Sequence, residues 1–183
     1  MSKILMIVGS TRMNGYNGQL ANKIVEEIGN RAHVSFLDYS DLPFFNQNEE
    51  FPPPEAMVRI RKEIDEADGV WIVTPEYNRQ IPAYLKNLLD WLSRSLEQGN
   101  PRGDCTIFQK KVTVSSAGAQ GGGYATNQVE DILKYTHTDL LDEFETEVII
   151  TADEWVSGIL EFTEAEEMAI DAQVAGFLNH IQN

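Results

Sequence analysis

The chain has 183 residues, 42% apolar and 23% charged, with 29 acidic against 14 basic residues and a formal net charge of -15. That length and composition suit one globular domain over residues 1–183 and exclude a chain disordered throughout. The acidic balance excludes a surface that coats nucleic acid, because such surfaces neutralise phosphates with Lys and Arg.

Residues 3–9 form a short apolar run rich in Ile and Val, as expected of a strand covered on both faces. Residues 17–31 then place Leu20, Ile24 and Ile28 at helical spacing. A second strand is expected from residue 33, running into a Pro-containing loop by residue 45. After a break at 51–54, helix formers occupy 55–67. Residues 68–78 repeat the opening pattern of a buried strand ending in polar residues. A helix is expected over 82–96, with Tyr84, Leu88, Trp91 and Leu92 as a candidate subunit contact or an intrachain face. A third such strand begins at 110 and leads into a Ser/Gly-rich loop, with helix character again over 124–135. A last strand is expected at 145–150, and Thr163 with Glu166 forms a capping box for a helix over 164–181. Strand and helix in alternation favour a mostly parallel five-stranded sheet with helices on both faces.

Such sheets bind ligands beyond the C-terminal ends of their strands. Three loops follow from that rule: 9–17, 74–79 and 115–123. In the first, the hydroxyls of Ser10 and Thr11, the Asn17 amide, Arg12 and the free N–H groups of a helix start suit a phosphate; a plain hydrogen-bonded turn has the same residues. In the second, Pro75, Glu76, Tyr77 and Asn78 suit the face and polar edge of a planar ring. In the third, Ser115, Ser116, Gly118 and Gly121 allow close backbone approach to a flat ligand. Gly-x-Gly-x-x-Gly spacing is absent from the first loop, and no Lys-Ser or Lys-Thr follows it, so the common dinucleotide and triphosphate loops do not apply.

Other chemistries find less support. A serine hydrolase built on Ser10 or Ser116 with Asp153 and His180 lacks the Gly-x-Ser-x-Gly elbow. The acidic residues and His33, His137 and His180 show no metal-ligand pattern. Cys105 has no second cysteine to pair with, and no apolar stretch reaches 18 residues, so a reducing cytoplasmic setting without a membrane span is expected.

Taken together, Gly9-Ser10-x-Arg12 with Gly15 and Asn17, the intact Pro75-Glu76-Tyr77-Asn78 and the Ser/Gly-rich third loop resemble the NADPH-dependent FMN reductase family, over roughly residues 3–150. The resemblance implies a flavodoxin-like three-layer sandwich with strand order 2-1-3-4-5. It implies FMN, with its phosphate at Ser10, Arg12 and Asn17 and with Gly15 and Tyr16 of the same loop among the cofactor-binding residues. Its ring would lie along Pro75, Glu76, Tyr77, Asn78, Ser115, Ser116, Gly118 and Gly121. It also implies NADPH or NADH as diffusible reductant, a quinone, flavin, azo compound or metal oxyanion as acceptor, and a homodimer or homotetramer; Arg79, just beyond the second motif, is then a candidate for a nicotinamide phosphate or for a surface salt bridge. No catalytic acid or base and no resident metal are expected; an acidic electron carrier serving a protein partner is the rival reading. Gly15 stands where the family pattern has Ser, which implies weaker FMN binding.

Overall fold

The three most apolar runs become the middle of one sheet, since strands covered on both faces need no polar alternation. The computed structural model describes residues 1–12 and 14–183. β1 (Ser2–Val8), β3 (Gly69–Thr74) and β4 (Lys111–Gly118) lie between β2 (Ala32–Phe36) and β5 (Asp139–Ile149). All pairings are parallel and the order is β2-β1-β3-β4-β5, as the flavodoxin-like resemblance implies.

Alternate side chains of the central strands enter two apolar layers. Leu5, Ile7, Val70, Ile72, Val112 and Val114 meet α2 (Glu55–Glu66), α3 (Ala83–Leu92) and α4 (Gly123–Tyr135). Ile4, Met6, Trp71, Val73 and Ala117 meet α1 (Tyr16–Ile28) and α6 (Glu164–His180) on the other face. The Thr163–Glu166 capping box forms as expected, each partner satisfying a backbone N–H that the first turn of α6 leaves free.

Two elements depart from expectation. β5 begins at Asp139 and not at residue 145, with a register shift against β4 between Thr113 and Ser115. A short helix, α5 (Ala152–Ser157), follows β5, started by a second capping box between Thr151 and Glu154. The candidate interface on α3 is also corrected. Leu88, Trp91 and Leu92 are buried inside the chain, where Trp91 meets Phe45 edge-on, while Tyr84 stacks on Tyr39. Among the described residues no helix is long and apolar enough to cross a membrane.

Candidate functional site

Order reverses between β1 and β3: from β1 the chain goes out to the β2 edge, and from β3 towards β5. The loops leaving β1, β3 and β4 meet there in a cleft of about 420 Å3. Ten of the thirteen expected site residues line it: Ser10, Arg12, Gly15, Tyr16, Asn17, Pro75, Glu76, Tyr77, Asn78 and Gly118.

At one end α1 starts at Gly15 without a side-chain cap, so its first-turn N–H groups lack side-chain partners. The loop before it is tight. Gly15 N–H donates to the Arg12 carbonyl at 3.0 Å, and the Ser10 hydroxyl accepts from Arg12 N–H at 3.2 Å. A Cβ at Gly15 would lie 3.1 Å from the Arg12 carbonyl oxygen, so a serine there needs that carbonyl to give by a few tenths of an ångström. The Arg12 guanidinium lies 5.7 Å from the centre of the Tyr16 ring. Tyr16 donates its hydroxyl proton to the Glu154 carbonyl at 2.9 Å, and Trp155 of α5 meets the ring edge-on at 5.0 Å.

Asn17 faces this end but its amide is engaged elsewhere. Its Nδ2 donates to the Ala117 carbonyl and its Oδ1 accepts the Ala117 N–H, both at 2.9 Å. The side chain therefore ties α1 to the end of β4.

At the other end Tyr77 and Gln80 exchange two backbone hydrogen bonds at 3.0 Å around Asn78 and Arg79. Both central residues are left-handed, with φ of 55° and 62°, the geometry of a tight two-residue turn that favours Asn and Gly. For Arg79 that conformation costs roughly 1–2 kcal/mol. The turn is braced from α4. The Glu76 carboxylate accepts the N–H groups of Tyr124 at 3.1 Å and Ala125 at 3.4 Å. Gln128 donates to the Arg79 carbonyl at 2.9 Å.

The third wall is Ala117, Gly118, Ala119 and Gln120. Ser115, Ser116 and Gly121 do not line the cleft, which corrects the expectation for them. β4 continues to Gly118, so the two serines lie within a strand and point into opposite layers. Ser115 Oγ accepts from Trp71 Nε1 and donates to Gln173 Oε1, both at 2.9 Å. Ser116 Oγ donates to the Gly121 carbonyl at 2.6 Å and accepts from the Thr126 hydroxyl. A Cβ at Gly122 would fall 2.7 Å from that Ser116 oxygen, and its φ of 95° also requires glycine.

The structure adds Arg79, Ala117, Ala119, Gln120, Ile150 and Trp155 to the lining. Ala117, Ala119 and Gln120 fell inside the expected third loop without a side-chain signature. Trp155 depends on α5, whose only signal was the Thr151–Glu154 capping box. The rival histidine lies elsewhere: His180 Nε2 sits 3.2 Å from Asp139 Oδ1 at the start of β5, at the other end of the sheet from the cleft. Phe44 is exposed and Phe45 packs on Trp91; neither lines the cleft.

Comparison with known proteins gives four relevant likenesses. Residues 2–149 match the family model described as NADPH-dependent FMN reductase. A 2-hydroxy-1,4-benzoquinone reductase of Burkholderia sp is 34% identical over 154 residues, covering 83% of this chain and 80% of that protein. A quinone reductase of Pseudomonas putida is 36% identical over 133 residues, covering 72% and 69%. Among solved structures, the flavoenzyme NAD(P)H:(acceptor) oxidoreductase FerB from Paracoccus denitrificans superposes with a TM-score of 0.83 at 24% identity, covering 100% of this chain and 98% of that one, a likeness of fold.

Proposed function

The chain belongs to the NADPH-dependent FMN reductase family, and from that premise we propose that the cleft between the β1, β3 and β4 loops holds FMN and serves the reduction of small quinones by NAD(P)H. It is an NAD(P)H-dependent oxidoreductase with FMN as cofactor. The observation that carries the assignment of the site is the polarity of the one cleft. One end is an uncapped helix start with Ser10 and Arg12, and the other is a braced turn facing backbone from β4.

Those residues fit the cofactor's chemistry. First-turn N–H groups of α1, the Ser10 hydroxyl and the Arg12 guanidinium suit a phosphate dianion. The backbone of Pro75–Asn78 and Gly118–Gln120 offers donors and acceptors to the edge of a heterocycle, and Tyr77, half exposed, offers a ring face. Held there, FMN would supply the redox chemistry between NAD(P)H and the acceptor. The chain's part is to hold the ring edge with a rigid turn and to keep one face accessible; no side chain has to exchange a proton for hydride to move. Asn17 serves by joining α1 to β4, and Ser115, Ser116 and Gly121 serve by shaping the strand and loop behind the cleft.

Quinones are the acceptor class proposed, on the strength of the activities that two relatives carry in their names. The absorption spectrum of freshly purified protein, with identification of the released flavin, tests the cofactor site; FMN near one per chain is expected. Anaerobic mixing with NADPH or NADH should then bleach the oxidised-flavin band, and 1,4-benzoquinone should restore it. No bleaching with either donor would leave a flavoprotein electron carrier in place of a reductase. A homodimer or homotetramer is proposed as well; the buried apolar face of α3 is engaged within the chain, so contact has to use other surfaces. Sedimentation over a range of concentrations tests that. The lone Cys105 supports a cytoplasmic setting, and the shared strands support residues 1–183 acting as one domain.

A further inference from the structure

We propose that Arg79 is an anion subsite at the mouth of the cleft that binds a phosphate of the reduced nicotinamide dinucleotide. The proposal rests on the FMN-reductase reading of the cleft and adds the residue that receives the donor's charge.

The first observation is the backbone. Asn78 and Arg79 occupy both left-handed positions of the Tyr77–Gln80 turn. Asparagine reaches that region with a short side chain that bonds locally, and glycine reaches it freely, whereas arginine has neither property. The backbone of the turn gains nothing from arginine at this position, and a cation–π contact at an exposed site is too weak to offset the left-handed strain. A side chain carried on a strained backbone beside a cleft points to a use for the side chain.

The second observation is how the guanidinium is held. It lies 5.1 Å from the centre of the Tyr124 ring, a cation over an aromatic face. It forms no ion pair with any described residue. Glu76, the acid closest in sequence, spends its carboxylate on the Tyr124 and Ala125 N–H groups and makes no ion pair with Arg79. Gln128 grips the Arg79 carbonyl, so the turn and its cation are positioned from the same helix. A buried or structural arginine would normally be matched by a carboxylate; this one is matched by a ring, and its fork of N–H donors stays available to phosphate oxygens.

The third observation is the field of the molecule. A net charge of -15 repels a multiply charged dinucleotide. Arg12 and Arg79 are the two cations among the cleft-lining residues, and Arg12 lies with the helix start assigned to the FMN phosphate. Arg79 is left to meet a second anion, entering beside the ring end of the cleft. The phosphate chemistry has two sources in the donor: the diphosphate, shared by NADH and NADPH, and the 2′-phosphate, carried by NADPH alone.

The test uses FMN-loaded wild type, Arg79→Gly and Arg79→Asn. Both substitutions accept the left-handed backbone, so melting temperature should be unchanged or raised, which separates lost charge from lost fold. Calorimetric titration with NADP+ and NAD+ gives binding without turnover. Anaerobic stopped-flow bleaching with NADPH and NADH gives the second-order rate of reduction. Affinity for NADP+ and the rate with NADPH are expected to fall at least tenfold in both variants. An equal fall for NAD+ and NADH assigns the diphosphate, and a fall confined to the NADP pair assigns the 2′-phosphate. Values within twofold of wild type for both pairs overturn the proposal and leave the flavin site standing. Wild-type holoprotein that neither donor reduces overturns the reductase reading, and this proposal with it.

Discussion

Asn17 and Arg12 stand five residues apart in the same loop and helix start, yet they answer to different measurements. Both hydrogen-bonding halves of Asn17 close on Ala117, and the residue is buried. Asn17→Ala leaves an N–H and a carbonyl of β4 without partners, which should cost on the order of 2 kcal/mol. Asn17→Asp keeps the acceptor but turns a second oxygen towards the Ala117 carbonyl, and should be at least as destabilising near neutral pH. Denaturant midpoints check both; wild-type stability in Asn17→Ala would refute the tie. Arg12 is exposed, and among the described residues its guanidinium makes no ion pair and lies over the Tyr16 ring. Arg12→Ala should therefore change stability by less than about 0.5 kcal/mol. Its effect should fall on FMN affinity, weakened roughly tenfold at low salt, in keeping with a charge-assisted hydrogen bond of about 1.5–3 kcal/mol. Fluorescence titration across a salt series checks this, since the difference from wild type should shrink as salt rises. An unchanged dissociation constant at low salt removes Arg12 from the phosphate.

At the scale of elements, β5 and α4 carry the clearest dependence on pH. β5 is an edge strand loaded with acids, a pattern that also discourages pairing with another chain. Glu145 on that strand has its carboxyl pushed up to about 7, first by burial of the carboxylate against α4, then by a hydrogen bond and charge from Glu130, with Glu147 and Asp142 adding. Glu130 is buried; its Oε2 holds Lys134 at 3.1 Å, and its Oε1 has no partner among the described residues, an acceptor that a protonated Glu145 can supply with a donor. The sign follows from proton linkage. The folded chain holds this proton more tightly than the unfolded chain, whose carboxyl titrates near the ordinary value of 4.5. Below that value both states are protonated and the pair is neutral to stability; as pH rises towards about 7 the folded state progressively loses stability, and above it the loss is complete. Glu145→Gln keeps a donor for Glu130 and removes the charge. The variant should gain melting temperature over wild type at pH 8 and little or nothing at pH 4.5. An equal difference at both would show that the proton is not shared. The same strand shows why the sequence was legible in some places and not in others. β1, β3 and the start of β4 were readable because strands buried on both faces need no polar alternation and leave short Val/Ile-rich runs. β5 sits at an edge, where Asp142, Glu143 and Glu145 are tolerated, so Leu140, Leu141 and Phe144 in its first half are broken up by acids and form no strand-like apolar run. The serines of β4 were misplaced for a related reason. Thr113, Ser115 and Ala117 alternate with Val114 and Ser116 across the sheet, but hydroxyls next to a glycine-rich run read as loop. The cleft was legible where loops carry side-chain motifs, and illegible at Ala117 and Ala119, where backbone does the lining.

Across the whole molecule, both apolar layers share β1, β3 and β4, so heat should unfold them in one transition. The family match ends at residue 149, where the sheet is already complete, but the layer beneath it is not. α6 supplies Ile170, Val174 and Phe177, all buried, and Phe177 meets Trp71 edge-on at 5.3 Å. Gln173 on the same helix donates to the Thr113 hydroxyl and the Val114 carbonyl at 2.8 Å and accepts from Ser115. The sheet is shaped for this helix: a Cβ at Gly69 would lie 2.6 Å from Ile181 and 2.7 Å from the Phe177 ring. Phe177→Ala should cost about 3–5 kcal/mol, a large share of the roughly 5–15 kcal/mol that holds a domain folded. Removing residues 159–183 strips the α6 half of the layer and leaves only α1 on that face, uncovers Trp71 and leaves Ser115 and Thr113 without Gln173, so that chain should not fold. The intermediate variant gives the sharper measurement. A cofactor that binds only the folded state stabilises it by about 2.7 kcal/mol at a hundred times its dissociation constant, enough to offset much of the loss in Phe177→Ala. FMN at that excess should therefore raise the melting temperature of Phe177→Ala, and Arg12→Ala should raise the concentration needed to do so. If FMN leaves the melt of Phe177→Ala unmoved while wild type shifts, then α6 shapes the cleft as well as the core, and packing and cofactor binding are one property of this chain.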